Sequence, residues 1–173
     1  MPIELHSLLT GLLVFGLFPA WMLAGLLDYI CHRRTQIENT SGRAESRFHI
    51  AQFLTLGFAL TLSTVLSFSS SVLAAVTLLV VVHTALAFAD TWYTEQHRLI
   101  LPFEQMIHDF MDLLPVIAVC ILVAINWPLI ANHSIQWRRG DTTALHAAIL
   151  LGSYWILSGG LVLEEWLRTR PRQ

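Results

Sequence analysis

Three carboxylate–imidazole pairs recur in this chain at a spacing of four residues: Asp28/His32, Glu45/His49 and Glu104/His108. On a helix, residues four apart project from one face with their side chains roughly 6 Å apart. A carboxylate and a neutral imidazole so placed suit one metal ion or two adjacent ones. A single such pair at a helix end is ordinarily interfacial decoration or a capping hydrogen bond. Three pairs on one side of a protein are not explained by charge balance. A further stretch supplies His83, Asp90 and His97 at heptad spacing, which keeps them near one face. Asp90 and His97 are then roughly 10 Å apart along a continuous helix. That is too far for a compact chelate, but it suits ligands reaching one cluster from above and below. The expected metal ligands are therefore Asp28, His32, Glu45, His49, Asp90, His97, Glu104 and His108.

Other polar residues have blander readings. His83, two turns deeper than Asp90, is expected to be a hydrogen-bonded interior histidine, with a ligand or proton relay as alternatives. Asp112 is placed to orient His108, because ligating imidazoles usually donate their other N–H. Glu38 is a third candidate for such support, although it, Glu95 and Asp109 also have arginines to pair with. Glu164 and Glu165 lie beside Arg168 and read as solvated ion pairs.

Oxygen and imidazole donors without thiolates disfavour structural zinc and iron–sulfur clusters. Cys31 adjoins His32 and points about 100° away on a helix. About four carboxylates with two to four histidines on a helical bundle is the pattern of dinuclear iron or manganese carboxylate sites. The spacing here is Glu-x-x-x-His rather than Glu-x-x-His, so the match is one of logic. No HxxHH box of the membrane desaturases occurs, which leaves membrane di-iron oxidases as an analogy. The expected function is a membrane oxidoreductase with two iron ions. It would use O2 to hydroxylate, desaturate or otherwise oxidise a lipid-like substrate. An external electron donor is implied, since no nucleotide-binding glycine motif or CxxC is present. The alternative is a zinc-dependent hydrolase of a lipid amide, ester or phosphoester, working through a zinc-bound water and a spare carboxylate. Metal or proton transport, a haem held between histidines, and an assembly role stay open. Membrane lipids and a hydrophobic small molecule are the expected partners, with no nucleic acid among them.

The elements that must position these groups are hydrophobic. The 173 residues are 55% hydrophobic and only 13% charged, with mean hydropathy +0.60, where a soluble domain carries roughly a quarter charged residues. Five apolar runs, about 7–27, 49–68, 71–90, 110–131 and 144–165, approach the ~20 residues that cross a bilayer as helix. The expected fold is an all-α integral membrane bundle forming a single transmembrane domain over 1–173. The first run lacks a basic leader and a persuasive cleavage site, so it reads as a retained span. Cys31 and Cys120 suggest no disulfide framework. All ten basic residues are arginine. With the N-terminus outside, Arg33, Arg34, Arg43, Arg47, Arg98, Arg168, Arg170 and Arg172 fall inside, against Arg138 and Arg139 outside. That asymmetry gives an N-out, C-in orientation with the polar site at the cytoplasmic ends. Outside go His6, His133 and His146 with Glu4 and Asp141.

Local signals mark the boundaries. Pro19 is expected to kink the first span, and "NTSG" breaks the chain before a new helix near Ser41. "SFSSS" makes a tight outer turn, and Pro102 suits the first turn of a helix. Trp127 and Trp137 fit one interface, Trp92 and Trp166 the other. The stretches "DYICHR…IENTSG…ES…H" and "PFEQMIH" resemble a family of small bacterial integral membrane proteins. The resemblance covers spans 1 to 4 and implies a bacterial inner-membrane origin, without an activity.

Overall fold

The computed structural model describes residues 2–138 and 144–170. Arg139, Asp141 and Arg172, counted in the charge reading, lie outside the described residues. Five helices are long and apolar enough to cross a membrane: α1 (Ile3–Thr35), α2 (Gly42–Val65), α3 (Ser70–Thr94), α4 (Pro102–Leu129) and α5 (Leu145–Arg168). Among the described residues the extended structure is an isolated bridge between Leu66 and Trp137. The fold is an all-α bundle.

Each helix outruns the apolar stretch that announces it. α1 continues past Leu27 to Thr35, and α2 begins at Gly42 rather than at His49. The polar extensions carry the carboxylates and imidazoles, so the candidate ligands sit on rigid helix. Gln36, at φ 52°, ends α1 in the left-handed conformation that commonly terminates helices. A single turn over Ile37–Asn39 then reverses the chain into α2, and the fully buried Ile37 anchors that turn. Pro102 occupies the first turn of α4, where its missing N–H costs no hydrogen bond.

Pro19 acts on the turn before it. Its ring crowds the carbonyl four residues back, at Phe15, and the helix widens to a π-helix over Leu12–Leu17. A second π-helical turn spans Ser153–Ser158 in α5. Single π-turns often mark functional sites, and both of these line cavities described below.

Packing proceeds around a closed ring in the order α1, α4, α3, α2, α5 and back to α1, with α2 and α3 in the most extensive contact. α5 reaches α2 through Gly57, where an added Cβ would lie 2.7 Å from the Trp155 ring and 2.8 Å from that of Tyr154. Only the bare backbone admits this aromatic pair. Trp155 Nε1 donates to Thr61 and Tyr154 Oη to the Phe53 carbonyl. At the other end, Arg138 donates to the Ser63 and Leu66 carbonyls, satisfying acceptors that the end of α2 would orphan. Phe15, Leu78, Phe88 and Ile156 are largely exposed, as expected of surface facing lipid rather than water.

Candidate metal centre

All five helices deliver a side chain to one point. α1 brings Asp28 and His32, α2 Glu45 and His49, α3 Asp90, α4 Glu104 and His108, and α5 Glu165. Asp28, His32, Glu45, Asp90, Glu104 and Glu165 are all buried. Asp28, His32, Glu104 and His108 each offer a ligand atom within 4.8 Å of the others, and His32, Glu45 and His49 form a second such set. The two sets share His32.

The centre of the arrangement is the His32 ring, 1% exposed. Its Nε2 lies 3.3 Å from Asp28 Oδ1, 3.4 Å from Glu104 Oε1 and 3.7 Å from Glu45 Oε1, carboxylates from three helices. It makes a hydrogen bond to none of them. Its Nδ1 lies 3.0 Å from Glu165 Oε2. The other Glu165 oxygen lies 2.6 Å from His49 Nδ1. One carboxylate thus clamps two imidazoles, which stack in parallel at 4.5 Å and 2°.

That clamp sets the tautomers. An ionised carboxylate only accepts hydrogen bonds, so each contact requires a proton on Nδ1. In a neutral ring, Nε2 is then a lone pair. His32 Nε2 faces three carboxylates, and His49 Nε2 lies 3.2 Å from Asp90 Oδ2 and 3.9 Å from Glu45 Oε1. Acceptors facing acceptors in a buried site need positive charge between them, from a second ring proton or from a cation. This is the carboxylate–histidine support that metal-ligating imidazoles ordinarily have.

Either protons or cations can balance the charge. Five carboxylates (Asp28, Glu45, Asp90, Glu104 and Glu165) share the cluster with one guanidinium, that of Arg98, which contacts Glu45 and Glu104. With neutral imidazoles, four negative charges remain. Protonating His32, His49 and His108 cancels three of them, and two divalent cations cancel all four. Buried charge is tolerated only when compensated.

Arg98 lies in the segment between α3 and α4, anchored by its N–H to the Thr94 carbonyl. Its guanidinium grips Glu45 through Nη2 at 2.6 Å and Nε at 3.2 Å, and Glu104 through Nη2 at 2.5 Å and Nη1 at 3.0 Å. Burial opposes its charge, but its bonds to Glu104 and Glu45 outweigh this and raise its pKa above the usual arginine value. Gln52 and Thr94 donate to Asp90, Ser41 donates to Glu45, and His108 Nε2 lies 2.9 Å from Asp28 Oδ1. Arg33 and Glu164 pair at the rim, where Tyr29 also donates to Glu164, and Arg168 bonds Glu38.

The structure brings together Asp28, His32, Glu45, His49, Asp90, Glu104 and His108, seven of the eight residues expected as ligands. His97 stays apart. The heptad reading requires a continuous helix, and α3 ends at Thr94. His97 falls in the following turn, exposed, with Nδ1 2.7 Å from the Tyr93 carbonyl. Asp112 does not support His108, because it faces His83, with Oδ1 3.2 Å from Nε2. Glu38 is engaged by Arg168, away from the cluster. His83 is 1% exposed, yet neither ring nitrogen makes a hydrogen bond, unlike the satisfied interior histidine expected.

Glu165 and Arg98 were not foreseen as part of the cluster. Glu165 does have a signal: it ends the helical stripe Tyr154, Ser158, Leu161, Val162, all of which line the adjoining cavity. Glu164, about 100° around the helix, turns outward as expected. Arg98 has no periodic signal, because a turn rather than a helix aims it.

A cavity of about 340 Å³ adjoins the cluster, lined by Asp28, His32, His49, Asp90, His108 and Glu165 on one side and by rings such as Trp21, Phe53 and Tyr154 on the other. His83 and Asp112 stand on its wall. No family model matches the chain, and no curated protein or solved structure matches it.

Proposed function

We propose that the chain is a membrane-embedded oxidoreductase holding two metal ions, iron by preference, and that it oxidises a lipid-like substrate with O2. The observation that carries this reading is His32 Nε2: buried, without a hydrogen bond, facing carboxylates from three helices while Glu165 occupies its Nδ1. Carboxylate-rich donors with imidazole and no thiolate, on a helical bundle, suit dinuclear iron or manganese better than structural zinc. Asp28, His32, Glu104 and His108 would hold one ion. Glu45, His49 and Asp90 would hold the second, with His32 between the two sets.

Bound iron would supply O2 activation and electron transfer. The chain's own residues do the rest. Glu165 fixes both clamped rings in the tautomer that presents Nε2. Arg98 holds Glu45 and Glu104 in place before and after the ions arrive. The aromatic and aliphatic cavity wall excludes water from the reacting bond. In hydroxylation, one oxygen atom of O2 enters a C–H bond and the other leaves as water, consuming two protons and two electrons from an external donor. In desaturation, both oxygen atoms leave as water with the same two electrons.

The cluster end of the bundle also carries Arg33, Arg34, Arg43, Arg47, Arg98 and Arg168. This supports a cytoplasm-facing site in a bacterial inner membrane, with the first helix entering from outside. The test is a comparison of total lipids from bacterial cells producing the wild-type chain or His108→Ala, by mass spectrometry under iron-replete, aerated growth. Lipids that gain an oxygen atom or lose two hydrogens only with the wild type are the expected result. Identical lipid profiles would refute oxidation, and lipid cleavage would point to the zinc hydrolase instead.

A further inference from the structure

A second cavity, about 200 Å³, lies deeper in the bundle than the metal cluster. Leu13, Leu17, Val76, Val80, Leu114 and Leu122 are among its lining residues. Its wall includes the π-helical turn of α1, and it shares Trp21 and Leu56 with the cavity that adjoins the cluster. The two cavities are therefore neighbours, with one indole and one leucine between them.

The lining of this chamber favours an apolar guest. Its hydroxyl-bearing residues are Ser63 and Thr64, which already donate to the Ala59 and Leu60 carbonyls one helical turn back. The one further side-chain donor in the lining is the Trp21 indole N–H, at the boundary with the first cavity, and the remaining side chains are apolar. Cavities of this kind stay dry and take up hydrocarbon. The depth also fits. His49 and Leu60 are eleven residues apart on α2, about 17 Å at the helical rise, and His108 and Val119 are equally far apart on α4. One leaflet of bilayer hydrocarbon is about 15 Å thick. A chain with its reacting carbons at the cluster thus ends in the chamber. Thr84 and Phe88 line the first cavity and are exposed on the outer face of α3, which gives such a chain a way in from the membrane.

We infer that the chamber is a tail-binding subsite, and that the substrate is a lipid whose long, unbranched acyl chain threads past Trp21 and Leu56 into it. This deepens the proposed oxidation by naming its substrate class, and it rests on that reading. Side chains at the chamber floor then set the chain length accepted. Ala118, on α4, is the position where a bulky ring would fill the space.

The experiment uses methyl stearate carrying a nitroxide near its terminal methyl group, added to the purified full-length protein in detergent after zinc treatment. Electron paramagnetic resonance reads the motionally restricted fraction, and metal content is measured on the same samples. The wild type should show a restricted component that Ala118→Trp and Leu122→Trp each remove without changing bound metal. Methyl palmitate should displace the probe at a mole fraction at least ~10-fold lower than methyl octanoate, because methylenes withheld from an apolar site forfeit affinity. No restricted component in the wild type, survival of the component in both tryptophan variants, or equal displacement by the short and long esters would overturn the subsite. If the variants do not fold, the competition on wild-type protein decides. A restricted component in protein that binds no metal would retain the subsite and defeat the oxidoreductase reading alone.

Discussion

Glu165 Oε1 lies 2.6 Å from Nδ1 of His49, a contact between the last helix and the second across 116 residues of chain. The other oxygen of the same carboxylate reaches Nδ1 of His32 at 3.0 Å. Glu165 therefore decides which nitrogen each ring presents to the cluster. Glutamine at this position has one accepting oxygen and a donating amide, so it can satisfy only one of the two Nδ1–H groups. Glu165→Gln should weaken metal binding about 10–100-fold, the usual effect of losing a group that orients a ligating imidazole. Glu164→Gln, one residue away and facing the rim, should bind as the wild type does. Zinc titrations of the two purified variants make the comparison, and equal affinities would remove Glu165 from the site.

Arg98 presses on a different balance. Its guanidinium side chain, 4% exposed, is shared between Glu45 and Glu104. Removing one partner of a buried ion pair costs about 3–5 kcal/mol, so Arg98→Met should lower the melting temperature of the metal-free protein by on the order of 10 °C. Divalent metal should restore much of that loss, because a cation takes over the neutralisation. A variant that melts like the wild type without metal, or gains no more from it, would show that Arg98 does not hold these carboxylates together.

Metal should also stabilise the wild type. A ligand bound only by the folded state at one hundred times its dissociation constant adds about 2.7 kcal/mol, or about 5–10 °C for a chain of this size. Thermal unfolding followed by tryptophan fluorescence should therefore shift upward on adding iron or zinc and return on chelation. Superimposable curves would count against a site built into the fold.

The helices and the polar cluster were legible in the residues to different degrees. Runs of apolar residues are long enough to announce all five spans, and pairs four apart reveal their own shared face wherever the helix continues, as at Glu45/His49 and Glu104/His108. Spacing fails when the helix stops, and α3 stops at Thr94, three residues short of His97. Convergence is a tertiary property. Nothing local distinguishes Glu165 from Glu164 until the stripe from Tyr154 is followed to its end, and Arg98 enters the cluster only because the turn after Thr94 points it back between α2 and α4. Pro19 announces a disturbance of α1 without saying that it takes the form of a π-turn.

His83 separates the cluster from its surroundings. It is buried on the same helix as Asp90, but its neighbour is Asp112 on the cavity wall. His83→Phe should leave metal content at the wild-type level, while His32→Ala should lose metal from both sets, because both share His32. Loss of metal in the phenylalanine variant, by elemental analysis, would make His83 a ligand and redraw the site.

The most direct measurement is the metal content of the full-length protein, purified in detergent from cells supplied with iron, manganese and zinc and never exposed to chelator, with an optical spectrum of the same sample. The expected result is close to two iron or manganese ions per chain and no Soret band. A chain that carries no metal under those conditions would contradict the central claim, leaving Glu165, Arg98 and the three carboxylate–imidazole pairs as a proton-bridged network that only holds the helix ends together.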